Sequence, residues 1–262
     1  MVKLAFFDID GTLFDEKRKI YPPSAARALQ RLRERGILVC VATGRPPFTA
    51  ETLRQAGIEP DYLVCSNGHL VLDGAGNTLA SSTFSPELAG EVREYCREQD
   101  IGLLFKYPAS TLVCRNDPEF DAIFSKNPRT AAFVRYAAPG DRLPERPNGG
   151  CLACDTGKLS AFNRRFTGQC LGVDINGRSS DLILWGVNKW TGAERLLDRI
   201  GISPAECIAF GDNRNDLEMI RGVGIGVAMG NGEEILKRES DYVTASVEAD
   251  GIWKGLEHFG LI

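Results

Sequence analysis

Histidine is nearly absent from this 262-residue chain: His69 and His258 are the only two, and they share no motif. A histidine-based catalytic mechanism therefore has little support. A field of positive charge is missing too. Lys+Arg number 31 against 35 Asp+Glu, a formal net charge of −4, so nucleic acid is not an expected partner. No apolar run approaches the length that a bilayer demands, so no membrane span is expected. A strand pattern already begins at residue 3, and no signal peptide is expected before it. Repeats and low-complexity tracts are lacking. The glycines between Gly222 and Gly232 match no dinucleotide fingerprint and read as a tight strand and turn. Eight cysteines are scattered, several inside apolar runs such as Val39-Cys40-Val41. That is how a reducing compartment uses thiols as small apolar residues, which makes the cytoplasm the expected location. Cys151-x-x-Cys154 has zinc or redox spacing but no second pair nearby, so a pair of buried thiols is expected there.

What is present is organised around Phe6-Phe7-Asp8-Ile9-Asp10-Gly11-Thr12. The apolar run Leu4 to Phe7 reads as a buried strand, and Asp and Gly are poor strand residues. A strand that stops on Asp-x-Asp-Gly presents acids at its C-terminal tip. An isolated Asp-Gly pair would be read as a turn. Here a second acid cluster, Gly211-Asp212-Asn213-Arg214-Asn215-Asp216, follows a later apolar run in the same way. Two such tips in one sheet point to a site that binds cations and handles phosphate.

Strands at Leu4 to Phe7, Ile37 to Ala42 and Tyr62 to Cys65 alternate with helical patterns from Ala25 to Leu32 and up to about Ala56, with Gly57 as a C-cap. Such βαβ units imply a parallel sheet. The rhythm changes after Gly68. A hairpin through Leu79, a helix from Ser85-Pro86-Glu87, five short strands before Trp185 and a surface loop over Ala137 to Gly150 suggest an α+β insertion. From Asn188 the βα rhythm returns, and Asp250 is the expected cap of the last helix. The expected fold is thus α/β: a Rossmann-like, doubly wound parallel core over residues 1–82 and 187–262, with an inserted α+β cap domain over 83–186. In open parallel sheets ligands sit beyond the carboxyl ends of the strands. Asp8, Thr43, Asn67 and Asp212 all fall there, and the insertion leaves from that edge as a candidate lid.

These residues resemble the haloacid dehalogenase superfamily. Asp8-Ile9-Asp10-Gly11-Thr12 is similar to its first motif, Thr43 to its second, Lys189 to its third and Gly211-Asp212 through Asp216 to its fourth. The insertion after the third strand and the tail Gly226-Val227-Ala228-Met229-Gly230-Asn231 resemble the Cof-like sugar phosphatases. One departure is Trp190, where Cof-like members commonly place glycine. The resemblance implies an Mg²⁺-dependent phosphatase acting on a small phosphorylated metabolite, most plausibly a sugar phosphate. Asp8 would be the nucleophile that forms an aspartyl-phosphate, and Asp10 the general acid and then base. Mg²⁺ would be held by the Asp8 carboxylate, the Asp10 backbone carbonyl and Asp212. Thr43, Lys189 and Asn215 would hold the phosphoryl oxygens, and Asp216 would orient Lys189 or a metal-bound water. A phosphomutase with the same nucleophile and a non-catalytic phosphometabolite sensor are the alternatives. Retention of Asp8, Asp10 and Lys189 counts against the sensor. No motif specifies an oligomeric state.

Overall fold

The computed structural model describes residues 1–121, 124, 126, 130–138, 140–144 and 146–262. They divide into two compact units: Met1–Thr43, Glu51–Ala80 and Asn188–Ile262 form one, Gly44–Ala50 and Ser81–Val187 the other.

In the first unit, β1 (Leu4–Phe7) is buried along its whole length, as a strand covered on both faces should be. The helix Pro23–Glu34 starts on proline, whose fixed φ suits a first helical position, and buries Ala25, Ala28, Leu29 and Leu32 along one stripe. β2 (Leu38–Ala42) follows. The helix expected up to about Ala56 is found, ending at Gln55. It opens as a 3₁₀ turn over Pro47–Ala50 and becomes α-helical over Glu51–Gln55. β3 (Tyr62–Cys65), β4 (Leu70–Asp73) and β5 (Thr78–Ser81) complete this half, with β4 antiparallel to β3. The Asp73 carboxylate accepts from the backbone N–H groups of Ala75 and Asn77 and shapes the hairpin turn.

The second unit holds a six-stranded sheet in the order β10-β11-β9-β6-β7-β8. Its strands are β6 (Gly102–Lys106), β7 (Thr111–Arg115), β8 (Val134–Tyr136), β9 (Gly150–Ala153), β10 (Cys170–Asp174) and β11 (Ser179–Leu184). The helices Pro86–Glu98 and Thr156–Arg165 supply Val92, Cys96 and Phe162 to a core shared with Leu103, Phe105, Leu152 and Leu182. Ser85 Oγ accepts from Leu88 N at 3.1 Å and caps the first of them. Phe48, in the Gly44–Ala50 segment, stacks on Phe133 with ring centroids 4.5 Å apart.

Three expectations are corrected here. β8, parallel to β7, falls where no strand was expected. Cys151 and Cys154 do not form a buried pair: three residues apart at a strand end, they fall on opposite faces. Cys151 joins Leu104, Val113 and Phe120, while half-buried Cys154 packs with the helix-side core. The expected surface loop Ala137 to Gly150, of which 139 and 145 lie outside the described residues, turns inward at its end. Asn148 is buried and donates to Ser81 Oγ and to the Ser82 carbonyl.

The first unit resumes with the helix Lys189–Ile200, where Asn188 and Thr191 form a reciprocal capping box and Gly201 closes the end at φ +70°. β12 (Cys207–Gly211), the helix Leu217–Gly222, β13 (Ile225–Ala228), the helix Glu234–Glu239, β14 (Tyr242–Val243) and the helix Gly251–His258 follow. Asp250 does not cap that last helix with its side chain; the carboxylate instead accepts from Ser24 Oγ at 2.5 Å. Trp190 packs inside this unit, and its indole lies so close to Gly222 that a Cβ there would meet it at 2.3 Å.

The sheet order is β14-β13-β12-β1-β2-β3-β4-β5, parallel from β14 to β3. The chain winds out from β1 in both directions, which is the doubly wound α/β arrangement. Phe7 pairs with Val41 and with Phe210, and Ala42 with Val64. The tips of β1, β2, β3 and β12 therefore end level. Among the described residues no helix is long and apolar enough to cross a membrane.

Candidate active site

The strand register decides which side chains meet. Asp8 follows β1, and its N–H donates to Phe210 O at 3.0 Å, which ties it to the neighbouring β12. The chain then closes a tight turn in which Phe14 N–H returns to Ile9 O and Gly11 N–H to Phe14 O. Gly11 sits at φ +84°, and a Cβ there would stand 2.1 Å from Asp212 Oδ2. Only glycine lets the first acid-bearing turn approach the second this closely.

Asp8, Asp212 and Asp216 bring carboxylate oxygens within 4.8 Å of one another. Lys189, 1% exposed at the start of its helix, donates to Asp8 Oδ1 at 2.6 Å and to Asp216 Oδ1 at 2.7 Å. Both carboxylate oxygens of Asp216 are engaged. Its other oxygen accepts from the N–H groups of Asp212 and Asn213, both at 3.1 Å. Asp212 Oδ1 accepts from Thr12 Oγ1 at 3.1 Å. Asp10 is half-buried outside the cluster of three, although its charge acts on Asp8. Thr43 is buried, its N–H donating to Val64 O and its carbonyl accepting from Asn67 N. Asn215 Nδ2 donates to Asn67 Oδ1 at 3.2 Å.

Two buried carboxylates, Asp8 and Asp216, and the half-buried one of Asp212 face a single ammonium. Burial pushes the Asp8 carboxyl up to about 7, partly offset by Lys189 and reinforced by Asp216 and Asp10. Burial, then the charges of Asp8 and Asp216, push Asp212 up to about 9. Burial works against the charge on Lys189, yet Asp216 and Asp8 outweigh it and hold the ammonium above its ordinary value. An excess of hard oxygen donors with too little positive charge fits a divalent cation of the magnesium or calcium type. Asp8 and Asp212 have lone pairs left for it. Asp216, which already accepts from Lys189 and two backbone donors, has less to offer.

Two contacts lay beyond reading from the sequence. Asn67 reaches Asn215, and Asn231 Nδ2 donates to Gly11 O at 2.8 Å while its Oδ1 accepts from Val247 N. Asn231 thereby staples the first acidic turn to the turn Val247–Ala249.

This electrostatic arrangement predicts a sign. A carboxyl raised on folding binds protons more tightly in the native state, so metal-free stability falls as pH rises, through the window from about 4 to about 9. Asp212→Asn should raise the stability of EDTA-treated protein at pH 8 by about 1–3 kcal/mol. It should also flatten that pH slope and remove the gain in Tm on adding Mg²⁺. Thermal melts at pH 5 and pH 8 read all three, and a variant destabilised at pH 8 would refute the repulsion argument.

A doubly wound α/β core whose strand tips gather buried carboxylates around one lysine defines an enzyme built for phosphoryl chemistry. The chain belongs to the haloacid dehalogenase-like hydrolases, whose family pattern matches residues 5–256. It is 30% identical over 253 residues to an HMP-PP phosphatase of Serratia proteamaculans (strain 568), covering 90% of this chain and 87% of that protein. A solved haloacid dehalogenase subclass IIB sugar phosphatase superposes with a TM-score of 0.87 at 26% identity, each chain covered completely. The chain also matches, at 29% identity, a Streptococcus pyogenes protein provisionally named a bifunctional phosphatase/peptidyl-prolyl cis-trans isomerase; it spans 54% of that protein. Family and relatives together make this chain a phosphatase.

Proposed function

We propose that this phosphatase is Mg²⁺-dependent and hydrolyses a small phosphorylated metabolite, a sugar phosphate foremost, through an aspartyl-phosphate on Asp8. The observation that carries the reading is the Lys189 ammonium 2.6 Å from Asp8 Oδ1, beside Asp212 in the same buried cluster. A carboxylate approaches a dianionic ester only where positive charge is already in place. Asp8, the Asp10 carbonyl and Asp212 would hold Mg²⁺, which when bound supplies neutralising charge for the phosphoryl oxygens.

Asp8 forms a bond to phosphorus as the bond to the leaving oxygen breaks. Asp10 gives that oxygen its proton, then takes one from the water that cleaves the aspartyl-phosphate and regenerates Asp8. Thr43, Lys189 and Asn215 hold the remaining phosphoryl oxygens, and Asp216 keeps Lys189 extended toward Asp8. The relatives named for HMP-PP and for sugar phosphates support a small substrate. Phosphate release from a panel of sugar phosphates, nucleotides and HMP-PP tests the reading. Turnover of at least one monoester with Mg²⁺, lost in EDTA and restored by Mg²⁺, is the expected result. Equal rates with and without EDTA would overturn the metal requirement.

A further inference from the structure

The turn Ser66–Gly68 stands out for its backbone. Ser66 and Asn67 both occupy the left-handed region, at φ +50° and +53°, and Gly68 follows at +91°. Left-handed residues other than glycine cost energy, and such strain persists where the surroundings enforce it for a purpose. The turn is also buried throughout, and Ser66 Oγ has no hydrogen-bond partner. Local stability does not account for it.

Its contacts do. Asn67 N–H donates to the carbonyl of Thr43 at 3.0 Å. Asn67 Oδ1 accepts from Asn215 Nδ2 at 3.2 Å. Gly68 lies against the first turn of the Lys189 helix, so close that a Cβ would sit 1.9 Å from Asn188 O and 3.3 Å from Gly192 N. One strained turn thus touches all three places from which Thr43, Lys189 and Asn215 project, segments otherwise far apart in sequence. We infer that Asn67 is a positioning residue: through its side chain it sets Asn215, and through its backbone Thr43, in the arrangement that receives the phosphoryl group. The inference rests on the proposed phosphatase mechanism and adds a residue to it.

Asn67→Gly removes the side chain while permitting the same φ, so the turn keeps its path. Mispositioning of about an ångström costs up to about a hundredfold in rate. The expected result is a kcat lowered about 10- to 100-fold, with KM changed less than about threefold. The double variant Asn67→Gly/Asn215→Ala should be no slower than Asn215→Ala alone, since both remove one coupled unit. Asn67→Asp keeps an acceptor for Asn215 and tolerates the left-handed region. It should recover kcat to within about fivefold of wild type, its extra charge appearing in KM, and it decides the matter even if the glycine variant does not fold. Inorganic phosphate binding, followed by calorimetry, separates the two readings. Active wild type with unchanged kcat in Asn67→Gly, strictly additive effects, or Asn67→Asp as slow as the glycine variant overturns this inference alone. Wild type that neither releases nor binds phosphate overturns it together with the phosphatase reading.

Discussion

Asp8→Asn should lower phosphate release by at least about a thousandfold and leave the fold intact, because the amide fills the same space but cannot attack phosphorus. Two effects on stability oppose each other. The change removes a negative charge 2.6 Å from Lys189, yet Lys189 keeps Asp216 at 2.7 Å. It also relieves repulsion on Asp212, whose carboxyl the charge of Asp8 helps to raise. The metal-free variant should therefore melt within a few degrees of wild type at pH 8. Rapid quench with a turned-over substrate, followed by intact mass, should find one phosphoryl group on wild type and none on the variant. Retention of a tenth of wild-type activity would remove Asp8 from the nucleophile's role, whatever the geometry around it.

Much of the fold was legible because burial in a parallel sheet leaves a plain signature. Leu4 to Phe7, Val39 to Ala42 and Cys207 to Phe210 are unbroken apolar runs, each buried throughout; the first two stop on Asp8 and Thr43, the third on Gly211 just before Asp212. The residue that ends each run marks the strand tip, and the parallel register that pairs Phe7 with Phe210 brings Asp8 and Asp212 to neighbouring levels. Signals that depend on one or two residues were weaker. β8 has three residues, half-buried or exposed, at a sheet edge, too short for a period to register. Asp250 has the identity of an N-cap but a left-handed backbone, and Ser24, far away in sequence, takes its carboxylate.

The candidate site divides along the same line. The acids and Lys189 stand at element ends, where propensity rules make polar residues conspicuous. Asn67, Thr12 and Asn231 act through partners 148, 200 and 220 residues distant. Asparagine and threonine at such places are equally ordinary as turn residues, and only the folded register separates the two roles. Trp190 illustrates the converse. It is adjacent to Lys189 in sequence, yet successive helical residues point about 100° apart. Its indole turns to Gly222 while Lys189 turns to Asp8.

Lys189→Met should be the most damaging single change to stability within the site. Methionine nearly matches the lysine stem in volume, so the loss isolates the charge and not a cavity. Lys189 is 1% exposed and is held by Asp8 and Asp216. Without it, three carboxylates remain in a cluster within 4.8 Å with no cation among them. Stranding buried charge in this way costs about 3–5 kcal/mol, or a fall in Tm of roughly 6–15 °C for a domain of this size. The pH dependence identifies the cause. Losing the ammonium raises the carboxyls of Asp8 and Asp212 beyond values already near 7 and 9. The native state then takes up protons that the unfolded chain does not, and the deficit shrinks as pH falls from 8 to 5. Mg²⁺ should recover part of the loss at pH 8, since a divalent ion answers the same excess of negative charge. Activity should remain depressed by about 100- to 1000-fold even at saturating Mg²⁺, because the missing donor faced the reacting carboxylate. Calorimetry in EDTA at pH 5 and pH 8, repeated with Mg²⁺, separates these effects. An equal Tm loss at both pH values would mean that packing, not charge, is what Lys189 contributes to the folded state.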